Sequence, residues 1–172
     1  MRYAVVDVET TGFSPVHDRI VEVACVLVEH GAVRAAWSSL VNPGREIPYY
    51  ATAVHGIGNA DVAFAPHFED VAPVLAALCE ECTVVAHNAA FDLGFLPMLQ
   101  HHRSICTVRL ARRVFPGAPN YKNQTLRAYL GLDADPALRG LNAHRALGDA
   151  LVTAAIFLRC LQVFEGPHAR PA

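Results

Sequence analysis

Residues 3–11 read Tyr3-Ala-Val-Val-Asp-Val-Glu-Thr-Thr11, and the order of apolar and acidic residues in them decides the fold. Tyr3–Val8 is a short Val-rich run without apolar–polar alternation, which predicts a strand covered on both faces near the middle of a sheet. Asp7 and Glu9 stand two apart at its end, so both carboxylates leave the same face. Two anions at the mouth of a core strand repel, and burying either costs several kcal/mol unless a cation compensates. A hard divalent ion with oxygen ligands is the fitting compensation. Taken alone, Asp-x-Glu reads better as a solvent-facing acidic pair.

Outward from this strand the chain continues in β-rich pattern. After the turn Thr10-Thr-Gly-Phe-Ser-Pro15 comes Ile20–Glu29, and His30-Gly31 turns the chain into Val33–Val41, predicting an antiparallel meander. The period then changes. Phe68–Cys79 has helical spacing with Pro73 near its start, Thr83–His87 reads as a short strand, and Asn88 can cap a helix through about Gln100. A short strand near Ile105 precedes helical stretches at Val108–Phe115 and Gln124–Leu130, and Gly140-Leu-Asn142 leads into a long last helix to Phe164. The sum is an α/β chain with a mixed sheet and helices packed on it.

The 172 residues, 53% hydrophobic and 17% charged, suit one domain over residues 1–164 with a short tail, 165–172. A chain this long buries about two-thirds of its unfolded surface and needs no disulfide or zinc to fold. Mean hydropathy is +0.26. The longest apolar stretch, Ala143–Phe164, is interrupted by Arg145, Asp149, Arg159 and Gln162, which argues against a membrane span. The amino terminus runs straight into the first strand without the pattern of a signal peptide. Five cysteines is an odd number, and Cys79-x-x-Cys82 reads as a redox motif, half a zinc site or, best, reduced structural thiols, because a second ligand pair at zinc spacing is missing. A cytoplasmic protein is expected.

Charge is uneven along the chain. Residues 1–100 carry four Lys/Arg against twelve Asp/Glu, and residues 101–172 carry ten against four. No acid falls between Asp92 and Asp133, where Arg109, Arg112 and Arg113 stand at i, i+3 and i+4 of a predicted helix and share a face. Such a face fits an anionic partner or a solvated surface.

Two further clusters carry acids. In His87-Asn-Ala-Ala-Phe-Asp92 a strand ends, a helix is capped, and Asp92 projects from the first turn, where the helix dipole favours an acid in any case. In His144-Arg-Ala-Leu-Gly-Asp149 the two ends are five residues apart, about 140° around a regular helix, so they converge only if His144 lies before or at the first turn.

Together, Asp7-Val-Glu-Thr-Thr-Gly12, His87–Asp92 and His144–Asp149 resemble the three exonuclease motifs of the DEDDh family, in order and at the family's distances. Val54-His-Gly-Ile57 resembles a fourth signature. Arg109–Gly117 resembles the stretch that links motifs two and three in the proofreading epsilon subunits of bacterial DNA polymerase III. The resemblance spans about Ala4 to Leu158. It implies a ribonuclease-H-like fold with a five-stranded mixed sheet, three antiparallel strands then two parallel, and helices on both faces. It makes Asp7, Glu9, Asp92 and Asp149 ligands of two Mg²⁺ or Mn²⁺ ions and His144 the general base. Thr10, Thr11 and His55 would hold the terminal nucleotide with Phe91 packing near it, and Arg112 and Arg113 are the candidates for backbone contact.

The chemistry agrees with those roles. Four carboxylates offset the charge of two divalent ions, which in two-metal phosphodiester hydrolysis lie about 3.5–4 Å apart and clamp the attacking and leaving oxygens. A histidine of ordinary pKa near 6.5 can take a proton from water acidified by such an ion. The resemblance thus implies a 3′→5′ exonuclease releasing nucleoside 5′-monophosphates from single-stranded 3′ ends, with DNA favoured over RNA. The alternatives are an exoribonuclease of the oligoribonuclease or RNase T type, and a silent nucleic-acid-binding module on the same fold. A polymerase or replication partner and a homodimer are both compatible with the resemblance.

Overall fold

In a computed structural model that describes residues 1–166, the Val-rich run becomes β1 (Arg2–Thr10). It pairs antiparallel with β2 (Ile20–Glu29), which pairs antiparallel with β3 (Ala32–Leu40). There follow α1 (Tyr49–His55), α2 (Asn59–Val62), α3 (Phe68–Cys79), β4 (Thr83–Ala86), α4 (Ala89–Phe95), β5 (Ser104–Cys106), α5 (Thr107–Val114), α6 (Asn123–Tyr129) and α7 (Ala146–Glu165). β4 lies parallel to β1 on its free side and β5 parallel to β4, giving the order β3-β2-β1-β4-β5. This is the expected five-stranded mixed sheet. The expected tail at 165–172 lies, from residue 167 on, outside the described residues.

Side-chain parity explains why β1 and β2 are apolar throughout. Ala4, Val6 and Val8 of β1, with Val23 and Cys25 of β2, face a core closed by Val71 and Leu75 of α3 and Phe95 of α4. Val5, Ala24, Val26 and Val28 face the other way and meet Ala146, Ala150, Ala154 and Phe157 of α7. Both faces are covered, so neither strand alternates. Asp7 and Glu9 share the parity of Val5 and therefore lie on the α7 side.

The last helix is apolar all round because it is buried on two sides. Besides the sheet it packs Val152, Ile156 and Cys160 against Ala111 of α5 and Leu126 of α6. Its segment Ala146–Phe164, with mean hydropathy 1.6, is long and apolar enough by length and composition to cross a membrane, but half of it is buried inside the fold, as in a core helix.

Three local expectations need correction. The helix after Asn88 stops at Phe95 rather than near Gln100, because Leu96 precedes Pro97 and leaves the helical region (φ −116°, ψ 67°) before a single 3₁₀ turn. Asn88 begins that helix from a left-handed conformation, φ 77°, and makes no capping bond with its side chain. The long helix starts at Ala146, not just after Asn142, because residues 140–142 fold back on it. A Cβ on Gly148 would sit 2.7 Å from the Asn142 carbonyl oxygen, so only glycine admits that approach. Two short helices, α1 and α2, were not anticipated; they bury Ala51, Ile57 and Val62 against Val21 and Ile47. All five cysteines are free, and Cys25, Cys79 and Cys82 lie together in the core, as structural thiols would.

Candidate active site

β1 and β4 run parallel at the centre of the sheet, and the chain leaves their carboxyl ends in opposite directions, β1 toward β2 and β4 toward β5. Such a switch point leaves a crevice outside the strand ends. The acidic residues singled out in the sequence collect there. Asp7 and Glu9 stand on the last part of β1, opposite Ala24 and Glu22 of β2. A register shift follows at once, with Glu9 opposite Glu22 but Thr10 opposite Ile20. A bulge of this kind ends regular pairing beside the site.

Asp149 lies in the first turn of α7, and one carboxylate oxygen from each of Asp7, Glu9 and Asp149 can be chosen so that all lie within 4.8 Å of one another. Asp92 arrives on α4 from the opposite face of the sheet. It is 3% exposed and its Oδ1 accepts the Val8 amide at 3.3 Å, so it stands against the end of β1 between Asp7 and Glu9 in sequence.

This crowding makes the acids hard to ionise. Removal from water, then the charges of Asp92, Asp149 and Glu9, hold Asp7 well above the carboxylate range. Burial and the charges of Asp149, Glu22 and Asp92 push Glu9 up to about 8, with Arg145 acting the other way. Burial pushes Asp92 up to about 7 against the backbone hydrogen bonds it accepts. Burial also raises Asp149, opposed by the His144 amide and by the charges of His144 and Arg127.

The geometry suits divalent ions. The oxygens of Asp7, Glu9 and Asp149 converge, Arg145 is committed to Glu22 at 2.7 Å, and no ion pair joins any of the four acids to a lysine or arginine among the described residues. Asp149 is also aimed. Its Oδ1 accepts from Gln124 Nε2 at 2.9 Å and its Oδ2 from the His144 amide at 2.9 Å, the kind of support that orients a metal-ligating carboxylate.

His144 lies two residues before α7 in a left-handed conformation, φ 57°, and is exposed. It thus meets the condition for convergence with Asp149. An ordinary residue held in this region stores about 1–3 kcal/mol of strain.

The candidate nucleotide residues are placed differently from one another. Thr10 is 8% exposed and donates its hydroxyl to the Gly12 carbonyl oxygen. Thr11 is fully buried; its hydroxyl donates to Asp18 Oδ1 and accepts the Arg19 amide, so it builds the turn beside the site. Gly12 makes that turn possible, since a Cβ there would meet the Asp18 carboxylate within 2.7 Å. His55, the last residue of α1, is 4% exposed. Its Nδ1 accepts the Ile57 amide at 3.0 Å, which leaves the proton on Nε2; that buried Nε2 lies toward the Thr10 backbone without a hydrogen bond of good geometry among the described residues. Burial holds its pKa below the usual histidine value. Phe91 is half-buried and lies between Phe13 and Phe95 in tilted ring contacts, with ring centroids 6.5 and 5.2 Å away.

Arg112 and Arg113 lie in the last turn of α5 and, with Arg109, line a groove of about 930 Å³ between α4, β5 and α5. Arg112 also sits over the Tyr121 ring at 5.5 Å.

Sequence reasoning missed four residues at the site. Phe13 is 83% exposed beside Phe91, Tyr50 donates its hydroxyl to the Thr11 carbonyl oxygen, Gln124 holds Asp149, and Glu22 holds Arg145. The signal for Phe13 was its position just after Gly12; the other three are single residues on remote elements with no local pattern.

Comparison with known proteins decides the family. The RNase_T family model, described as exonuclease, matches residues 4–157. The chain belongs to this exonuclease family. It is 33% identical over 168 residues to DNA polymerase III subunit epsilon of Aquifex aeolicus, covering 93% of this chain and 80% of that one. It is 38% identical over 170 residues to the 3′-5′ exonuclease DinG of Bacillus subtilis, covering 94% of this chain but only 18% of that much longer protein. The solved structure of exonuclease X in complex with 5′-overhanging duplex DNA superposes with a TM-score of 0.78 at 38% identity, covering 92% of this chain and 90% of that one. The resemblance to epsilon therefore holds, and this family member shares it with DinG and exonuclease X.

Proposed function

We propose that the protein is a divalent-metal-dependent 3′→5′ exonuclease that removes nucleoside 5′-monophosphates from the 3′ end of a single DNA strand. One observation carries the reading: Asp7, Glu9 and Asp149 converge at the β1–β4 switch point, with buried Asp92 reaching the same strand end from the other face of the sheet, and none of the four acids pairs with a lysine or arginine among the described residues. Bound by these four residues, two Mg²⁺ or Mn²⁺ ions would supply Lewis acidity at the scissile phosphate and make water acidic near neutral pH.

The chain's own groups then have distinct tasks. His144, exposed and tethered through its amide to Asp149, takes the proton of the attacking water on its imidazole. His55, buried against the Thr10 backbone, shapes the pocket for the terminal nucleotide together with Thr10. Phe91 offers an apolar surface on which the terminal base or sugar can pack. Arg112 and Arg113 neutralise phosphates of the strand behind the cut, in the groove beside α4. Five free cysteines accord with a reducing, cytoplasmic setting.

DNA is favoured over RNA because the 38% identical exonuclease X structure holds DNA. The test is digestion of matched DNA and RNA oligonucleotides in Mg²⁺ and in Mn²⁺. Faster shortening of DNA supports the assignment, equal or faster shortening of RNA moves it to the exoribonuclease reading, and binding without shortening moves it to a silent module.

A further inference from the structure

Glu22 is a buried carboxylate that the proposed reaction does not use. It is 4% exposed on β2, directly opposite Glu9. A fifth acid beside four crowded anions adds repulsion, so its presence needs a reason. Its contacts supply one. Oε2 accepts from Arg145 Nε at 3.0 Å and from the Ala146 amide at 2.9 Å, and Oε1 accepts from Arg145 Nη2 at 2.7 Å. Every one of these donors belongs to the two residues at which α7 begins.

We propose that Glu22 is a positioning residue that, by clamping the entry of α7 to β2, sets the separation of Asp149 from Asp7 and Glu9 and so the metal affinity of the cluster. The inference rests on the metal-centre reading above. Its geometry is a closed frame. Glu22 is opposite Glu9 on one side and bonded to Arg145 and Ala146 on the other, and three residues further on α7 presents Asp149. The His144 amide returns to Asp149 Oδ2 and Gln124 grips Oδ1, so the segment 144–149 is held at both ends. The three hydrogen bonds are directional. A bidentate guanidinium–carboxylate pair fixes an angle as well as a distance, and an amide at a helix start fixes the register of the helix. A buried ion pair contributes little net stability, and fixing one arrangement among several is its best-attested use.

Positioning and simple through-space charge make opposite predictions for Arg145→Gln. If Glu22 only lent negative potential, Glu22→Gln would weaken metal binding and Arg145→Gln, which removes a positive charge, would tighten it. If the pair positions α7, both variants weaken binding by about 10–100-fold, the range for lost support of a metal ligand, and the double variant is no worse than the weaker single one. The experiment is titration of Mn²⁺ into metal-free protein without DNA, followed by the electron paramagnetic resonance of free Mn²⁺, for the wild type and the three variants. Glu22→Gln preserves shape, and the double variant leaves no buried charge unpaired, so the comparison does not depend on Arg145→Gln alone folding. Failure of the wild type to bind Mn²⁺ overturns the metal-centre reading itself. A wild type that binds, with Glu22→Gln unchanged or Arg145→Gln tighter, overturns the positioning role alone. Steady-state assays should show the same variants losing kcat with KM for the strand nearly unchanged.

Discussion

Glu9→Gln should make the metal-free protein more stable, and the size of the gain follows from the site. In the folded chain Glu9 is held at about 8, against an ordinary value of 4.5, by burial first and by the charges of Asp149, Glu22 and Asp92 second. A folded-state pKa above the unfolded one means that stability is fully present below about pH 4.5 and is lost as pH rises through about 8. At pH 7.5 that is about three pKa units, each worth about 1.36 kcal/mol, or about 4 kcal/mol of lost stability. Asp7 and Asp149 share the repulsion, and glutamine still buries a polar head, so about 2 kcal/mol is the expected recovery. For a chain of this size about 2–4 °C accompanies each kcal/mol, which places Glu9→Gln about 4–8 °C above the wild type. The assay is thermal unfolding in EDTA from pH 5 to 8. The wild-type Tm should fall across that range and the variant should fall less. Saturating Mg²⁺ should reverse the order at pH 7.5, because ligand binding stabilises the chain that binds better. A variant less stable than wild type in EDTA at pH 7.5, or a wild-type Tm that rises from pH 5 to 8, would refute the account of the cluster.

Other variants separate the tasks within the site. His144→Ala should lower kcat by about 10²–10⁴-fold with KM changed little, and a near-normal kcat would remove this residue from proton transfer. Arg112→Ala with Arg113→Ala should raise KM, leave kcat at saturation nearly unchanged, and flatten the log–log salt dependence of single-strand binding by about 0.7 per lost contact; an unchanged slope returns both to the solvated surface. Asp92→Asn should abolish most activity in Mg²⁺ while the circular dichroism of the fold is retained, and unfolding in EDTA would make Asp92 structural instead.

The fold was legible where burial imposes a pattern. The limits of β2 and of α3 coincide with those read from sequence, because Ile20–Glu29 is covered on both faces and Phe68–Cys79 shows one apolar stripe. α1 escaped because seven residues carry too little periodicity, although Pro48 before it and left-handed Gly56 after it are ordinary helix punctuation. The early end of α4 was written in Pro97, whose effect on Leu96 outweighs the apolar spacing through Gln100. At the site, three local motifs revealed four acids and a histidine, since each lies next to a strand end or helix start. What they could not reveal was the support. Gln124 and Glu22 reach Asp149 and Arg145 across 25 and 123 residues of chain, and nothing in a linear pattern joins such pairs.

The most direct test of the central claim is a time course on a single-stranded DNA oligonucleotide labelled at its 5′ end, in Mg²⁺, with EDTA as the control. Attack at the last phosphodiester predicts a ladder that shortens one nucleotide at a time, with 5′-monophosphates as the released product. EDTA should stop it, and a 3′-phosphate on the strand should block it. Labelled mononucleotide at the earliest times, efficient cutting of a circular strand, or full activity in EDTA would contradict a metal-dependent enzyme that works from the 3′ end.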